Sequence, residues 1–142
     1  MQQSKLMTRR TWLVLPATLT ACRKSTLPQR NVFPETVAGV WHRQSLTTTP
    51  SSPDPVPMSA VVGMQEAGYS GPGKLDARVY ELDSQAAGAD LAQRWRPSAD
   101  TVFFNRDQFF VIIKWQEADR NALKDFVREL EQKLGPPQQH KS

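Results

Sequence analysis

The stretch 101–115, TVFFNRDQFFVIIKW, holds the clearest signal for the fold of this chain. Its two runs of aromatic and β-branched residues, 102–104 and 109–113, are of the types that strands favour. The polar residues 105–108 between them predict a turn, so the stretch is interpreted as a β-hairpin. Because five successive positions of the second run are apolar, we predict a central strand that is buried on both of its faces.

The residues that follow this hairpin predict an amphipathic helix. Asp119 can cap its beginning, because a carboxylate accepts hydrogen bonds from the free backbone N–H groups of the first turn. Gly135, followed by two prolines, can end it. The large apolar side chains share one helical face: Leu123, Phe126, Val127, Leu130 and Leu134. We therefore expect this helix to pack against the sheet.

A second hairpin is predicted earlier in the chain. Residues 60–69 and 75–82 partly alternate between apolar and polar side chains, and they flank the turn signal SGPG at 70–73. A short helix over 60–69 stays open as an alternative, because Ala, Met, Gln and Glu tolerate one.

Residues 85–95 predict a shorter helix between the two hairpins. Ser84 can cap it and Pro97 ends it. Its apolar residues recur at every fourth position: Ala87, Leu91 and Trp95. The order ββαββα predicts an α+β fold, an antiparallel sheet of about four strands with two helices packed on one face.

The length of 142 residues favours a single domain. We place this domain at residues 37–137, with an exposed loop rich in proline, serine and threonine near 47–57. Residues 37–46 are a short apolar patch that can form a first strand or a turn. Residues 138–142 are interpreted as a polar tail.

The charge of the chain argues against a nucleic-acid partner. The formal net charge is +4, but three of the 18 basic side chains and none of the 14 acidic ones lie in residues 1–21. Residues 22–142 are therefore nearly neutral, and they offer no basic stripe for a phosphate backbone. We expect no nucleic acid among the partners.

The beginning of the chain has the order of an export signal. The basic residues Lys5, Arg9 and Arg10 precede an apolar run over 11–19. This run is far shorter than the ~20 residues that a membrane-spanning helix needs. We therefore predict that residues 1–21 are a signal peptide that is removed.

The residues Leu19-Thr20-Ala21-Cys22 resemble a bacterial lipobox, in which an aliphatic and two small or polar residues precede a cysteine. The resemblance implies that diacylglycerol is attached to the Cys22 thiol and that the chain is cut before this residue. Residues 22–36, polar and interrupted by prolines, would then be a lipidated tether from the membrane to the domain. Arg23 slightly favours the outer membrane, since an aspartate there retains lipoproteins in the inner membrane.

Two further points about export stay open. An ordinary secretion signal, cut without lipidation, is the alternative to the lipobox. Residues 8–13, TRRTWL, also resemble the twin-arginine export motif, with tryptophan at the position where phenylalanine is usual. The general route and the twin-arginine route are therefore both possible.

Few residues point to chemistry. The usual catalytic motifs are missing, and one cysteine with two histidines is too little for the common metal sites, so we predict no cofactor and no metal. An enzyme would need a pocket that gathers His42 with Glu81, Asp83 or another carboxylate. Trp41 and Tyr69, in or beside predicted loops, are the candidates for a ligand or partner patch on the surface.

The main part of the chain is similar to small exported bacterial domains of unknown function. The likeness rests on residues 78–84, RVYELDS, an alanine-rich helix, residues 103–113, FFNRDQFFVII, and a closing helix. Residues 33–35 with 39–41 also resemble the start of exosortase-associated exopolysaccharide proteins, whose later cysteine and histidine have no counterpart here.

Taken together, these features predict a membrane-anchored protein of the bacterial cell envelope that binds a partner, such as another envelope protein, without catalysis. The alternative is an enzyme or accessory factor that acts on an envelope polymer such as exopolysaccharide.

Overall fold

The computed structural model describes residues 25–48 and 54–135. The predicted signal peptide, Cys22 and the polar tail lie outside the described residues. The strands are β1 (Thr36–Val37), β2 (Trp41–Thr47), β3 (Val61–Ser70), β4 (Lys74–Leu82), β5 (Thr101–Arg106) and β6 (Phe109–Gln116). The helices are α1 (Leu27–Arg30), α2 (Gln85–Arg94) and α3 (Arg120–Leu134), with a short 3-10 turn at Met58–Ala60.

The strands form one antiparallel sheet in the order β1-β2-β3-β4-β6-β5. The predicted α+β class, both hairpins and both longer helices are confirmed. The predicted number of about four strands is too low, because the apolar patch at 37–46 contributes to β1 and β2. The alternative of a helix over 60–69 is wrong, since β3 pairs with β4 along its length.

The turn between β3 and β4 requires glycine. Gly71 and Gly73 have φ angles of +159° and +155°, which L side chains rarely adopt. A Cβ atom at Gly73 would stand 2.6 Å from the Cα atom of Ala118. The turn therefore packs directly against the connection between β6 and α3, where Asp119 N–H donates to the Pro72 carbonyl at 3.2 Å.

The two longer helices cover opposite faces of the sheet, so the prediction that both pack on one face is wrong. On β6, residues 109, 111 and 113 belong to the core cluster that contains α3, whereas residues 110 and 112 belong to the cluster that contains Leu91 of α2. A strand with apolar side chains on both faces needs a cover on each. We call the two faces the α3 face and the α2 face.

The α3 face is closed by a large apolar core. Asp119 caps α3, its side chain accepting from Ala122 N–H at 2.9 Å, and Gly135 follows the last turn as predicted. The helix buries Leu123, Phe126, Leu130 and Leu134. The ring of Phe126 lies edge-to-face against Trp41 and Tyr69, with centroids 5.8 and 5.0 Å away, an arrangement that aromatic pairs favour.

The segment before β1 also covers the α3 face, so the predicted tether is wrong for the part that the structure describes. Leu27, Val32 and Phe33 are each 0–1 % exposed and belong to the same core cluster as Phe126. The sheet is wider than one helix can cover, and these apolar side chains cover part of the remainder. The folded domain therefore includes residues from Ser25 onward instead of beginning at residue 37.

Candidate functional site

The predicted patch of Trp41 and Tyr69 is wrong, because both side chains are core residues, 0 % and 2 % exposed. Trp41 Nε1 donates to the Ala122 carbonyl at 3.0 Å. The Tyr69 hydroxyl donates to the Pro34 carbonyl at 2.6 Å. Burial raises the pKa of Tyr69, which keeps the hydroxyl neutral as a donor. These two aromatic side chains, which the sequence places in or beside predicted loops, instead help to fill the core on the wide α3 face.

Of the carboxylates considered for the enzyme alternative, Glu81 and Asp83 are not brought to His42. His42 is exposed on β2 and pairs with Ser70, whereas Glu81 pairs with Gly63 at the other end of β3. Seven residues of strand separate the two positions by about 23 Å, far beyond hydrogen-bond reach. Asp83 lies two residues beyond Glu81. Glu35 lines the same shallow depression as His42.

Glu81 has a structural role. Its buried carboxylate accepts hydrogen bonds from the Ser25 hydroxyl at 3.0 Å, from Thr26 N–H at 2.7 Å and from the Thr26 hydroxyl at 3.0 Å. Gln108 Nε2 donates to the same group at 3.3 Å. These bonds attach the beginning of the described chain to the ends of the central strands.

A buried ionic cluster lies on the α2 face, beyond the end of α2. Arg78 donates to Asp54 at 2.7 Å and to Glu66 at 2.9 Å, and the Tyr80 hydroxyl donates to Asp54 at 2.6 Å. Burial disfavours the charge of Arg78, but the hydrogen bonds to Asp54 and Glu66 outweigh it and raise its pKa. Burial, and then Asp54, raise the pKa of Tyr80. The cluster joins Asp54 to side chains of β3 and β4.

The sequence interpretation missed this cluster and expected residues 47–57 to be exposed. That expectation is wrong at Asp54, which binds Arg78, and at Val56, which is buried, whereas Pro55 and Pro57 are exposed. Glu66 and Arg78 have opposite charges and are directly paired across the β3–β4 hairpin, so their side chains share one face of the sheet. This pairing is the sequence signal that could have identified the cluster. Asp54 carries no such periodic signal.

A polar groove continues from the cluster across the strands of the α2 face. Gly68 forms part of its floor, and its N–H donates to the Ser45 hydroxyl at 3.2 Å. A Cβ atom there would stand 3.0 Å from Ser45 Oγ and 3.1 Å from Asp76 Oδ1, so a side chain at this position would displace these two groups. Asp76 faces Lys114 on the neighbouring strand. The groove has a volume of about 580 Å³, next to a smaller recess of about 390 Å³ at the cluster.

A second, apolar groove lies between α3 and β5, and we call it the α3–β5 groove. Its volume is about 790 Å³. The residues that line it are Val102, Trp115, Ala118, Arg120, Leu123, Lys124, Val127, Arg128 and Glu131. β5 is the last strand of the sheet in the described part of the chain. The sequence analysis placed Leu123 and Val127 on the packed face of the helix and did not predict this groove.

The indole N–H groups of Trp95 and Trp115 are buried and have no hydrogen-bond partner among the described residues. Buried donors without an acceptor are uncommon in folded proteins.

Within residues 25–48 and 54–135, no helix is long and apolar enough to cross a bilayer. In the same residues, no three side chains of His, Cys, Asp or Glu are grouped so that they could hold a metal ion.

Comparisons with known proteins do not assign a family. No protein-family model, no curated protein and no solved structure matches this chain. The resemblances to the lipobox, to small exported domains and to exopolysaccharide proteins therefore stay predictions.

Proposed function

We propose that this chain is a lipid-anchored protein of the bacterial cell envelope. The support is the order of a basic segment, a short apolar run and the lipobox-like Leu19-Thr20-Ala21-Cys22, which holds the only cysteine of the chain. Two or more acyl chains at Cys22 would anchor the protein firmly, since each buried CH₂ contributes ~0.8 kcal/mol. Arg23 after the cysteine favours the outer membrane over the inner one.

The function proposed for the domain is non-catalytic binding of a partner protein. The observation that supports it most is the α3–β5 groove, an apolar surface beside an open sheet edge. Apolar clefts with a few polar groups are the usual binding sites of proteins. An open strand edge can pair with the main chain of an extended segment, while pockets beside it accept alternate side chains.

The charges at the rim indicate the chemistry of this partner. Arg120, Lys124 and Arg128 follow each other at intervals of four residues on one side of α3. Arg128 already pairs with Asp125 at 3.0 Å, and Glu131 lies at the far end. The rim is therefore mainly basic, and it complements a segment that carries both apolar side chains and carboxylates.

The anchor is tested by the intact mass of the protein from the membrane fraction, beside a Cys22→Ala variant. We expect a chain that begins at Cys22 with added acyl mass, and the variant should lack this mass. A chain cut near residue 21 without acyl mass would show a soluble exported protein. Retention of Met1 in a cytosolic species would contradict export altogether.

The partner site is tested by a photoreactive amino acid at Arg128, with the same group at Gln93 of α2 as the matched control. In cells, we expect a discrete adduct from position 128 only, weakened by high salt and by Lys124→Glu. Sequencing of the adduct should identify a segment with apolar and acidic side chains. An adduct that does not respond to Lys124→Glu, or a basic segment, would contradict the proposed site.

A second candidate function is favoured by the polar groove, whose hydroxyl, carboxylate and ammonium groups can bind sugar hydroxyls. It is an accessory factor that binds an envelope polymer such as exopolysaccharide. The test is a titration of the mature protein with purified exopolysaccharide. Asp76→Asn should weaken binding by roughly tenfold if Asp76 holds a sugar hydroxyl, whereas Asp125→Asn on α3 should not. Equal affinities of the two variants, or no binding, would exclude this candidate.

A further inference from the structure

Only a few residues separate Cys22, the proposed site of the lipid anchor, from the folded domain. The hydrogen bonds to Glu81 hold Ser25 and Thr26 against the domain, and Leu27 is already in the core. Three residue steps lie between Cys22 and Ser25, and an extended chain of that length spans at most about 11 Å. The tether of 15 residues expected from the sequence would have spanned up to about 50 Å.

This distance brings one end of the domain into the electric field of the membrane surface. The Debye length at physiological salt is about 8 Å, so charges near Ser25 are only partly screened from lipid headgroups. β3 has ten residues and a length of about 33 Å. Its other end, at Ser70, lies several Debye lengths farther away. We call the end at Ser25 the anchor end and the end at Ser70 the free end.

The anchor end carries a group of cations around the last turn of α3. Arg30 lies 4.9 Å over the Phe109 ring and donates to the Lys133 carbonyl at 3.4 Å. Arg106 is exposed, and its guanidinium packs at Gly135, where an added Cβ atom would stand 2.6 Å from Nη2. Lys133 completes the group. The sequence adds two more cations, Arg23 and Lys24, between the group and Cys22.

Three acidic residues also belong to the anchor end: Glu131 lies in the last turn of α3, where Arg30, Arg106 and Lys133 outnumber it, and the other two lie toward α2. Asp83 directly precedes the cap of α2, and the carbonyl of Asp107 lies 3.1 Å from the position of a Cβ at Gly88. The carboxylate of Glu81 is buried and hydrogen-bonded. The surface around the end of α3 is therefore basic, and anionic headgroups are its complement.

We propose that the domain is held directly on the membrane surface with its anchor end inward, where Arg30, Arg106 and Lys133 contact anionic lipid headgroups. This inference rests on the lipid anchor proposed above. It orients the molecule: the wide end of the polar groove, near Ser70, points away from the bilayer. The α3–β5 groove runs from the free end at Arg120 toward the membrane, open at the side.

The orientation is tested on the lipidated mature protein in vesicles of phosphatidylcholine with phosphatidylglycerol. A single new cysteine at Gln132, at the anchor end, or at Ser98, at the free end, receives a fluorophore. The thiol of Cys22 is blocked by its lipid, so only the new cysteine reacts. Nitroxide-labelled headgroups should quench the fluorophore at 132 strongly and the one at 98 weakly. Circular dichroism of each labelled protein checks that the fold is intact.

Charge-reversal variants distinguish the orientation of the domain on the membrane from its attachment by the lipid. Each cation near an anionic leaflet strengthens its association by roughly fivefold, so Arg106→Glu should reduce quenching at 132, and high salt should do the same. The matched control Arg96→Glu, near the free end, should change nothing. Vesicles of phosphatidylcholine alone should give weaker quenching at 132 than the anionic vesicles do.

Three outcomes have distinct meanings. Strong quenching at 132, weak quenching at 98 and sensitivity to Arg106→Glu support the orientation. Equal quenching at both sites, or no response to Arg106→Glu, overturns the proposed orientation. The acyl mass would in that case still support the lipid anchor at Cys22. Absence of the acyl mass overturns the proposed anchor and removes the basis for the orientation.

Discussion

The two faces of the sheet differ in how they are covered, although the same strands form both. The α3 face is apolar from β1 to β5, and α3 together with the segment from Leu27 to Phe33 covers it except at the α3–β5 groove. The α2 face is apolar under α2 and where Val56 and Met64 pack, and the remainder carries the Arg78 cluster and the polar groove. The first face supplies the stability of the domain, and the second leaves polar groups within reach of a ligand.

We expect the largest loss of stability from a substitution at the centre of the α3 face. Phe126→Ala removes a fully buried ring that contacts Trp41 and Tyr69. We expect a loss of about 3–5 kcal/mol in the free energy of unfolding, from lost burial and from the cavity that remains. Urea denaturation measures it. Leu91→Ala on α2 is the matched deletion on the other face and should cost about 2 kcal/mol. A larger loss for Leu91→Ala would reverse the ranking of the faces.

The next effect concerns the ionic cluster of the α2 face. Arg78→Met leaves the carboxylates of Asp54 and Glu66 close together without their cation. We expect a loss of about 3 kcal/mol, since removal of one partner from a buried ion pair leaves uncompensated charge. The triple variant Asp54→Asn, Glu66→Leu, Arg78→Met should regain most of this stability. If Arg78→Met alone were as stable as the wild type, the cluster would not hold this face together.

High pH should destabilise both faces through their buried tyrosines. The pKa values of Tyr69 and Tyr80 are raised in the folded state from the ordinary 10.0. Their stabilising contribution is complete below pH 10 and is lost as the pH rises above it, because the unfolded chain then releases the protons first. We expect a loss of about 1 kcal/mol per tyrosine between pH 9 and 11.

The control for this pH effect is a pair of phenylalanine variants. Tyr69→Phe and Tyr80→Phe should each flatten the decline in stability between pH 9 and 11, measured by thermal unfolding. A decline that is unchanged in both variants would place the alkaline sensitivity elsewhere.

The smallest effects are expected at the two helix caps. Asp119→Ala and Ser84→Ala each remove an acceptor for a backbone N–H, at Ala122 and Ala87 respectively. Each should cost about 1 kcal/mol. The amide protection of the first turn, read by hydrogen exchange, should fall only in the helix whose cap is removed. Loss of protection in the other helix would indicate that the two faces are coupled.

The sequence was a good guide to local elements. The end of α3 at Leu134, the caps at Ser84 and Asp119 and the turn at 70–73 follow from residue types at neighbouring positions. The continuous apolar run 109–113 correctly indicated a strand that is buried on both faces. The prediction that both helices pack on one face is nevertheless wrong. A strand that is apolar on both faces needs a packed element on each face, and this consequence of the run was not applied to the helices.

The candidate site was much harder to predict. Trp41 and Tyr69 were expected at the surface because they lie near predicted loops. In the structure both side chains are buried in the core that α3 forms with the sheet. The α3–β5 groove depends on the distance between α3 and β5, two elements that are separated in the chain by β6. The Arg78 cluster needs Asp54, a residue 24 positions away from its partner. Neither arrangement has a period that a sequence can display.

What the sequence determined by itself is the set of local and covalent facts: the two hairpins, the two longer helices, their caps, and the single cysteine that follows a short apolar run. These depend on the conformational preferences of adjacent residues. Only the tertiary structure decided which face each helix covers, that the segment from Ser25 belongs to the domain, and which polar groups stay open. Those outcomes depend on how much apolar surface the assembled sheet presents, a quantity that exists only once distant strands have paired.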